Sequence, residues 1–261
     1  MTIRLLLAVA ATALFQILLH PLKAADSDDS VSVPAVDVIA ERFKLVETAP
    51  LRVEMTINVE MSGITVGEGR DSFEHDGDRY RVVSEARTAG LARALKRVDE
   101  KRESRGLVTG HGIRPLYFRQ ERTGKRPKTA TFDWEAGKLK LSEGEESETV
   151  DLPEFVLDQT SLPYAFVFVE APRTGKFNVH VTDGRRLTAY EVAFVGQERI
   201  KTKLGALDTL HYRKIQRGED RRGFEFWLSL DHHRLPVRIR IVEKDGTAFD
   251  SNVTRLDFKT R

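Results

Sequence analysis

Histidine and carboxylate side chains are the groups through which this chain could do acid–base or metal chemistry, and it carries 7 histidines and 40 Asp+Glu residues. His232 and His233 follow Asp231 and look like a metal-binding fragment. Neighbours in a strand point to opposite faces, so both seldom ligate one ion. Two adjacent ligands also leave a coordination sphere incomplete. The quartet Asp231-His232-His233-Arg234 lies between Leu230 and Leu235, where two strand patterns meet, and reads as a solvated hairpin turn. His75, His111, His180 and His211 are isolated, and His180 and His211 alternate opposite the apolar faces of their strands. They read as surface or rim residues rather than catalytic bases. The carboxylates form no specific pair, and the ~5–9.5 Å separation a glycosidase needs is a spatial property. There is no G-x-S-x-G elbow, H-E-x-x-H helix or P-loop. Gly67-Glu68-Gly69 lacks the third glycine and the βα context of a dinucleotide fingerprint. With no cysteine there is no thiolate metal site, cysteine nucleophile, disulfide or lipid-bearing cysteine. No catalytic, metal-binding or cofactor-binding residue is therefore assigned, no cofactor is expected, and the chain reads as a non-enzyme.

The aromatic residues suggest binding instead. Phe224, Phe226, Leu228 and Leu230 share one face of a strand, with Trp227 on the other. In a curved sheet the first face lines an interior, while the second meets solvent or a covering element. That interior is either a plain core or a cavity for an apolar ligand, since barrels of about eight or more strands can enclose one. Phe166 and Phe168 complete the candidate lining. The run 96–105 mixes charge signs and reads as a solvated strand or hairpin face. Residues 123–128 form a purely basic loop, either a solvated tip or a contact for phosphate-bearing lipid or glycan.

These residues must be positioned by strands. From Leu51 onward Leu51, Val53, Met55, Ile57 and Val59 alternate with polar residues, the period of a half-buried strand. Ser62-Gly63, Asp76-Gly77, Asp183-Gly184 and Asp245-Gly246 mark turns. Gly67 and Gly69 inside a strand mark a bulge or bend. Residues 89–95 are a brief helical or looped break, and 110–115 a turn. Basic and acidic loops fall at 123–128 and 142–147. Residues 158–168 break the β rhythm, and Leu157, Ala165, Phe166 and Phe168 suggest a buried helix that Pro163 confines to starting or kinking there. About a dozen strands with short turns imply an all-β fold with one or two short helices: a curved antiparallel meander, half-barrel or barrel-like. One β domain over 47–261 is the simplest reading, with a split into two sheets around Asp158 as the alternative.

The first residues argue for export. Arg4 precedes an apolar run, 5–19, broken only by Thr12 and Gln16, and Leu22-Lys23-Ala24 ends in a small residue. This reads as a signal peptide over 1–24, cut after Ala24. The run falls short of the ~20 residues of a membrane span, so no transmembrane anchor is expected after cleavage. Residues 25–46 read as an acidic, serine-rich linker followed by a short helix or an extended lead-in over 36–46. The whole chain has 42 Lys+Arg; loss of Arg4 and Lys23 leaves 40 bases against 40 acids. That balance lacks the basic footprint of a nucleic-acid-binding protein.

Four stretches resemble the DUF3108 family of exported bacterial proteins. The first is Ile64-Thr65-Val66-Gly67-Glu68 with Asp76-Gly77-Asp78-Arg79-Tyr80, and the second Gly112-Ile113-Arg114-Pro115-Leu116. The third is Asp158-Gln159-Thr160-Ser161-Leu162-Pro163-Tyr164. The fourth runs from Gly196-Gln197-Glu198-Arg199-Ile200 through Leu204-Gly205, Phe226-Trp227-Leu228-Ser229 and Leu235-Pro236-Val237 to Asp245-Gly246. Pro163 departs from the unbroken helix expected there. The resemblance implies a periplasmic, Gram-negative, mostly antiparallel β protein and carries no activity with it. By fold-level analogy only, such sheets resemble periplasmic lipoprotein carriers, which hold acyl chains in an open half-barrel. Three functions are thus open: a binding or carrier module for a lipid or other apolar or amphipathic envelope ligand, an assembly factor that binds another envelope protein, and a hydrolase of envelope glycan or lipid.

Overall fold

A computed structural model of the chain describes residues 49–218 and 220–259. The expected signal peptide and linker helix lie outside the described residues. Alternating burial generates the strands in order: β1 (Arg52–Met61), β2 (Ile64–His75), β3 (Arg79–Thr88), β4 (Asp99–Thr109), β5 (Gly112–Arg122), β6 (Lys128–Asp133), β7 (Lys138–Glu143) and β8 (Glu146–Asp151). After the short β9 (Val156–Asp158) come β10 (Lys176–Thr182), β11 (Leu187–Thr202), β12 (Gly205–Lys214), β13 (Gly223–Ser229), β14 (Pro236–Val242) and β15 (Ala248–Lys259). Helix α1 (Gly90–Leu95) joins β3 to β4. Between β9 and β10 a 3₁₀ turn (Leu162–Tyr164) leads into α2 (Ala165–Phe168). Pro163 sits in the first turn, where its missing N–H costs nothing.

All 15 strands of the described residues belong to one sheet, in the order β8-β7-β6-β5-β4-β3-β2-β1-β15-β14-β13-β12-β11-β10-β9. The first and last strands meet in the middle, so the chain continues through Asp158 without dividing into two sheets. Neighbours pair antiparallel except β9 and β10. The sheet is unclosed but strongly curled. The β10–β11 turn crosses back to β6 and β7, where the Ser142 amide donates to the Gly184 carbonyl (2.9 Å) and Lys128 pairs with Asp183 (2.8 Å). Bulges help to bend it: one at Val59/Glu60 opposite the glycines of β2, another at Arg105/Gly106.

At the second bulge Gly106 faces Pro115. The expected turn over 110–115 is tighter than that, since β5 already begins at Gly112; Pro115 is admitted because a bulge spares the ladder hydrogen bond it cannot donate. A Cβ on Gly106 would lie 2.2 Å from the Arg114 carbonyl oxygen and 2.7 Å from the Tyr80 ring. Because backbone is what it would strike, Gly106→Ala is expected to cost roughly 2 kcal/mol through overpacking, measured by denaturant unfolding.

The core lies inside the curl. Val53, Phe73, Val82, Leu210, Tyr212, Leu228 and Val253 surround α2, all four residues of which are buried. A smaller apolar cluster of Phe118, Ala130, Phe132, Leu139 and Leu141 joins β5–β7 to Val156. Residues 156–169 therefore form a plug threaded through the interior of the sheet.

Candidate ligand-binding interior

The plug divides the interior into an apolar and a polar half. On the apolar side Phe166 stacks against Tyr212 (6.0 Å between ring centroids) and Phe226 (6.0 Å), with Phe177 at its edge. Phe224, Phe226 and Leu228 of β13 all face this side, as their alternation requires. Two small cavities remain here, about 30 Å³ and about 20 Å³. Phe166, Phe224 and Phe226 line both, and Leu228 lines the second. Phe168 turns elsewhere, edge-on to Phe73 (5.7 Å) and His75 (5.1 Å). Four of the five residues singled out from sequence thus share one wall, and Phe168 belongs to another.

The polar half was not legible in the sequence. Asp158, at the start of the plug, is fully buried. One of its oxygens accepts the amides of Thr160 (2.8 Å) and Ser161 (2.9 Å). The other accepts the hydroxyls of Ser104 (2.6 Å) and Ser161 (2.9 Å). Tyr80 extends the chain through Ser104 (3.0 Å). The Tyr164 hydroxyl donates to Asp71 (3.1 Å), and stacking on Phe73 (5.0 Å) holds its ring in place. Glu100 accepts Gln120 (2.9 Å) and pairs with Arg102 (3.2 Å), while Arg102 also reaches Gln159 of the plug (3.4 Å). Glu100 and Arg102 fall in the run read from sequence as a solvated strand face. That reading is corrected: alternation along β4 turns Glu100, Arg102 and Ser104 inward, and the curl closes over them.

Burial pushes the carboxyls of Asp71, Glu100 and Asp158 up from their ordinary values, against the opposing pull of their hydrogen bonds and of Arg102. Burial likewise pushes the phenols of Tyr80 and Tyr164 well up. A carboxyl with a raised folded pKa keeps its proton after the unfolded chain has lost it. It therefore favours folding at low pH, and that contribution is lost as pH rises through the folded pKa. Asp71→Asn stays uncharged throughout, so its stability relative to the native chain should increase as pH is raised from the carboxylate range to neutrality. Urea unfolding of both proteins across that range measures the difference; a constant difference would contradict it.

Between the halves lies a third cavity, about 70 Å³, lined by apolar Met55, Ile57, Ile239, Ile241 and Val253 together with polar Asp71, Ser84, Arg102, Gln159 and Thr160, Asp71 lying directly across from Met55 in the β1–β2 register. The Thr160 hydroxyl, in a residue only 3% exposed, has no hydrogen-bond partner. A buried polar atom without a partner is uncommon and calls for an explanation. Pro163, Pro236 and Ile239 line this cavity and also the 20 Å³ one, so the two spaces share a wall made by the plug and β14.

The β13–β14 turn fastens that plug. His233 and Arg234 adopt positive φ (52° and 58°), and Arg234 Nε donates to the Phe166 carbonyl (2.8 Å). Asp231-His232-His233-Arg234 is the turn expected, with His232 held by Ser229 (3.0 Å). His211 is corrected from a rim residue to a buried one, 7% exposed on the outer side of β12. It stacks on Trp227 (4.2 Å) between the carboxylates of Glu225 (2.7 Å) and Glu198 (3.0 Å). Trp227, which the β12–β13 register pairs with His211, is buried on that face in a cluster with Leu207 and Val237. Among the described residues no cluster of three or more His, Asp or Glu could hold a metal, and no helix is long and apolar enough to cross a membrane.

No curated protein matches the chain by sequence. A β-barrel-like protein of the domain of unknown function DUF1849 from Brucella abortus is similar in fold, with a TM-score of 0.50 and 13% identity over 80% of this chain and 98% of that one. A protein designated only provisionally as a lipoprotein, from Parabacteroides distasonis, superposes with a TM-score of 0.35 and 11% identity over 82% of this chain and 97% of that one. The family model for the protein of unknown function DUF3108 matches residues 52–252, nearly the whole of the sheet, and the chain belongs to that family.

Proposed function

We propose that this protein is a non-catalytic binding or carrier module of the periplasm, exported by a cleaved signal peptide, that holds one amphipathic ligand inside the curled sheet. One observation carries this reading: the cavity of about 70 Å³ is lined by apolar and charged side chains together, and Thr160, whose buried hydroxyl has no partner, is one of its lining residues. Ligand sites in general pair a mostly apolar lining with a few placed polar groups. The cavity is too small for a lipid as it stands. Its wall is the short plug, and displacement of residues 162–168 would merge it with the two apolar cavities. The apolar tail would then take the place of Phe166 beside Phe224, Phe226 and Leu228, with the polar end near Thr160, Asp71 and Arg102.

Native followed by denaturing mass spectrometry of protein extracted from its own host tests this. The expected result is a polypeptide mass beginning at Ala25 with a releasable lipid-sized adduct. Bare polypeptide that also fails to take up a fluorescent fatty acid would overturn it.

A second reading is favoured by the free edge of the sheet. Among the described residues strand β8 pairs only with β7 and is exposed along most of its length, which leaves its outer edge open to another chain. An assembly factor of this kind would give a crosslinked envelope protein and no adduct.

A further inference from the structure

We propose that α1 and the β1–β2 turn form a docking face for an anionic lipid bilayer. Three large aliphatic side chains stand out into solvent here: Ile64 (64% exposed), Leu91 (80%) and Leu95 (63%). Leu91 and Leu95 are four residues apart, hence on one side of the helix, while Ala92 packs inward on the cluster of Val59, Val66 and Phe249. The helix is pinned beside the turn. The Ala89 amide donates to the Val66 carbonyl (2.9 Å), and a Cβ on Gly90 would lie 3.3 Å from the Thr65 carbonyl oxygen. The start of α1 therefore lies against the residues that directly follow Ile64.

The charge around this apolar knob selects the occupant. Residues 87–98 contain Arg87, Arg93, Lys96 and Arg97 and no acid. Glu68 pairs with Arg87 (2.9 Å), and Asp99 serves both Arg93 (3.1 Å) and Arg97 (2.9 Å). Even with Glu60 at the end of β1, four bases face three acids. Inserted aliphatic side chains together with basic residues at headgroup level are the two signals that seat a protein on an anionic membrane surface. The trio projects outward, which suits an acyl boundary. The position also serves the interior: Val59 and Ala86, in the cluster that Ala92 of α1 joins, both line the 70 Å³ cavity. A seated α1 places the end of the cavity at the lipid. The docking itself stands without the carrier reading.

Flotation with vesicles tests it, using the chain without its first 24 residues. Binding is expected to vesicles of equal phosphatidylglycerol and phosphatidylcholine, and roughly tenfold weaker to phosphatidylcholine alone or at high salt. The double variant L91E/L95E should lose binding while keeping its thermal midpoint, since both side chains are exposed, and K96E should weaken it. No binding to the anionic vesicles, or equal binding by L91E/L95E, overturns the proposal. So does a concentration-dependent dimer that L91E/L95E dissociates, because the patch would then belong to a second copy. Vesicle binding by a protein without an adduct in mass spectrometry would sink the carrier reading alone.

Discussion

Asp158→Ala is expected to lower the unfolding midpoint by roughly 6–12 °C, the largest effect of a polar substitution in this protein. The side chain accepts four hydrogen bonds inside the fold, from the amides of Thr160 and Ser161 and the hydroxyls of Ser104 and Ser161. Removing it strands several buried donors at about 1–3 kcal/mol each, partly relieved by hydroxyl rotation, for a loss of at least about 3 kcal/mol. Asp158→Asn separates this cause from loss of charge. Its carbonyl still accepts both amides, and its NH₂ donates to serine hydroxyls that rotate to accept, so its loss should stay within about 1.5 kcal/mol. Thermal unfolding followed by circular dichroism measures both. Equal losses would mean that the charge, and not the set of acceptors, holds the plug.

The second large effect is Phe166→Ala. Phe166 is 5% exposed and sits among Phe177, Tyr212 and Phe226. Truncation removes buried ring and leaves a void, for a cost of roughly 3–5 kcal/mol. The same void joins the two apolar cavities that Phe166 lines. Under the carrier reading the variant is therefore less stable yet takes up a fluorescent fatty acid more tightly than the native chain. Lost stability with no gain in uptake would make the apolar half a plain core. The two variants also test different sides of the plug: Asp158 fixes where it enters, and Phe166 fills the space a ligand would need.

Much of the strand pattern was legible because it is local. Period-two alternation in β1 and β13 and the Asp-Gly turns depend only on neighbouring residues. Phe224, Phe226 and Leu228 could be placed on one wall for the same reason. The break at 158–168 was visible too, since Pro163 and a run of apolar residues cannot sustain a strand, and the structure puts a 3₁₀ turn and a short helix there. Phe168 could not be separated from Phe166 in this way, because a helix interior to the sheet meets walls on every side.

What the sequence determined by itself is thus an antiparallel β chain with turns at known places, an interior aromatic wall and an interruption able to fill it. Only the tertiary structure decided which polar faces meet solvent. Glu100-Lys101-Arg102 and His211 alternate like residues of an exposed face, and nothing nearby in the chain distinguishes the inner charges from the outer ones. The distinction arises when strands far apart in order, β6 and β7 against the β10–β11 turn, fold onto one another and desolvate one side of β4. Burial then becomes affordable only because Asp158, Gln159 and Tyr164 arrive from the plug to satisfy Ser104, Arg102 and Asp71. Long-range closure is a property of the whole sheet, and it converts a charged strand into the polar wall of a cavity.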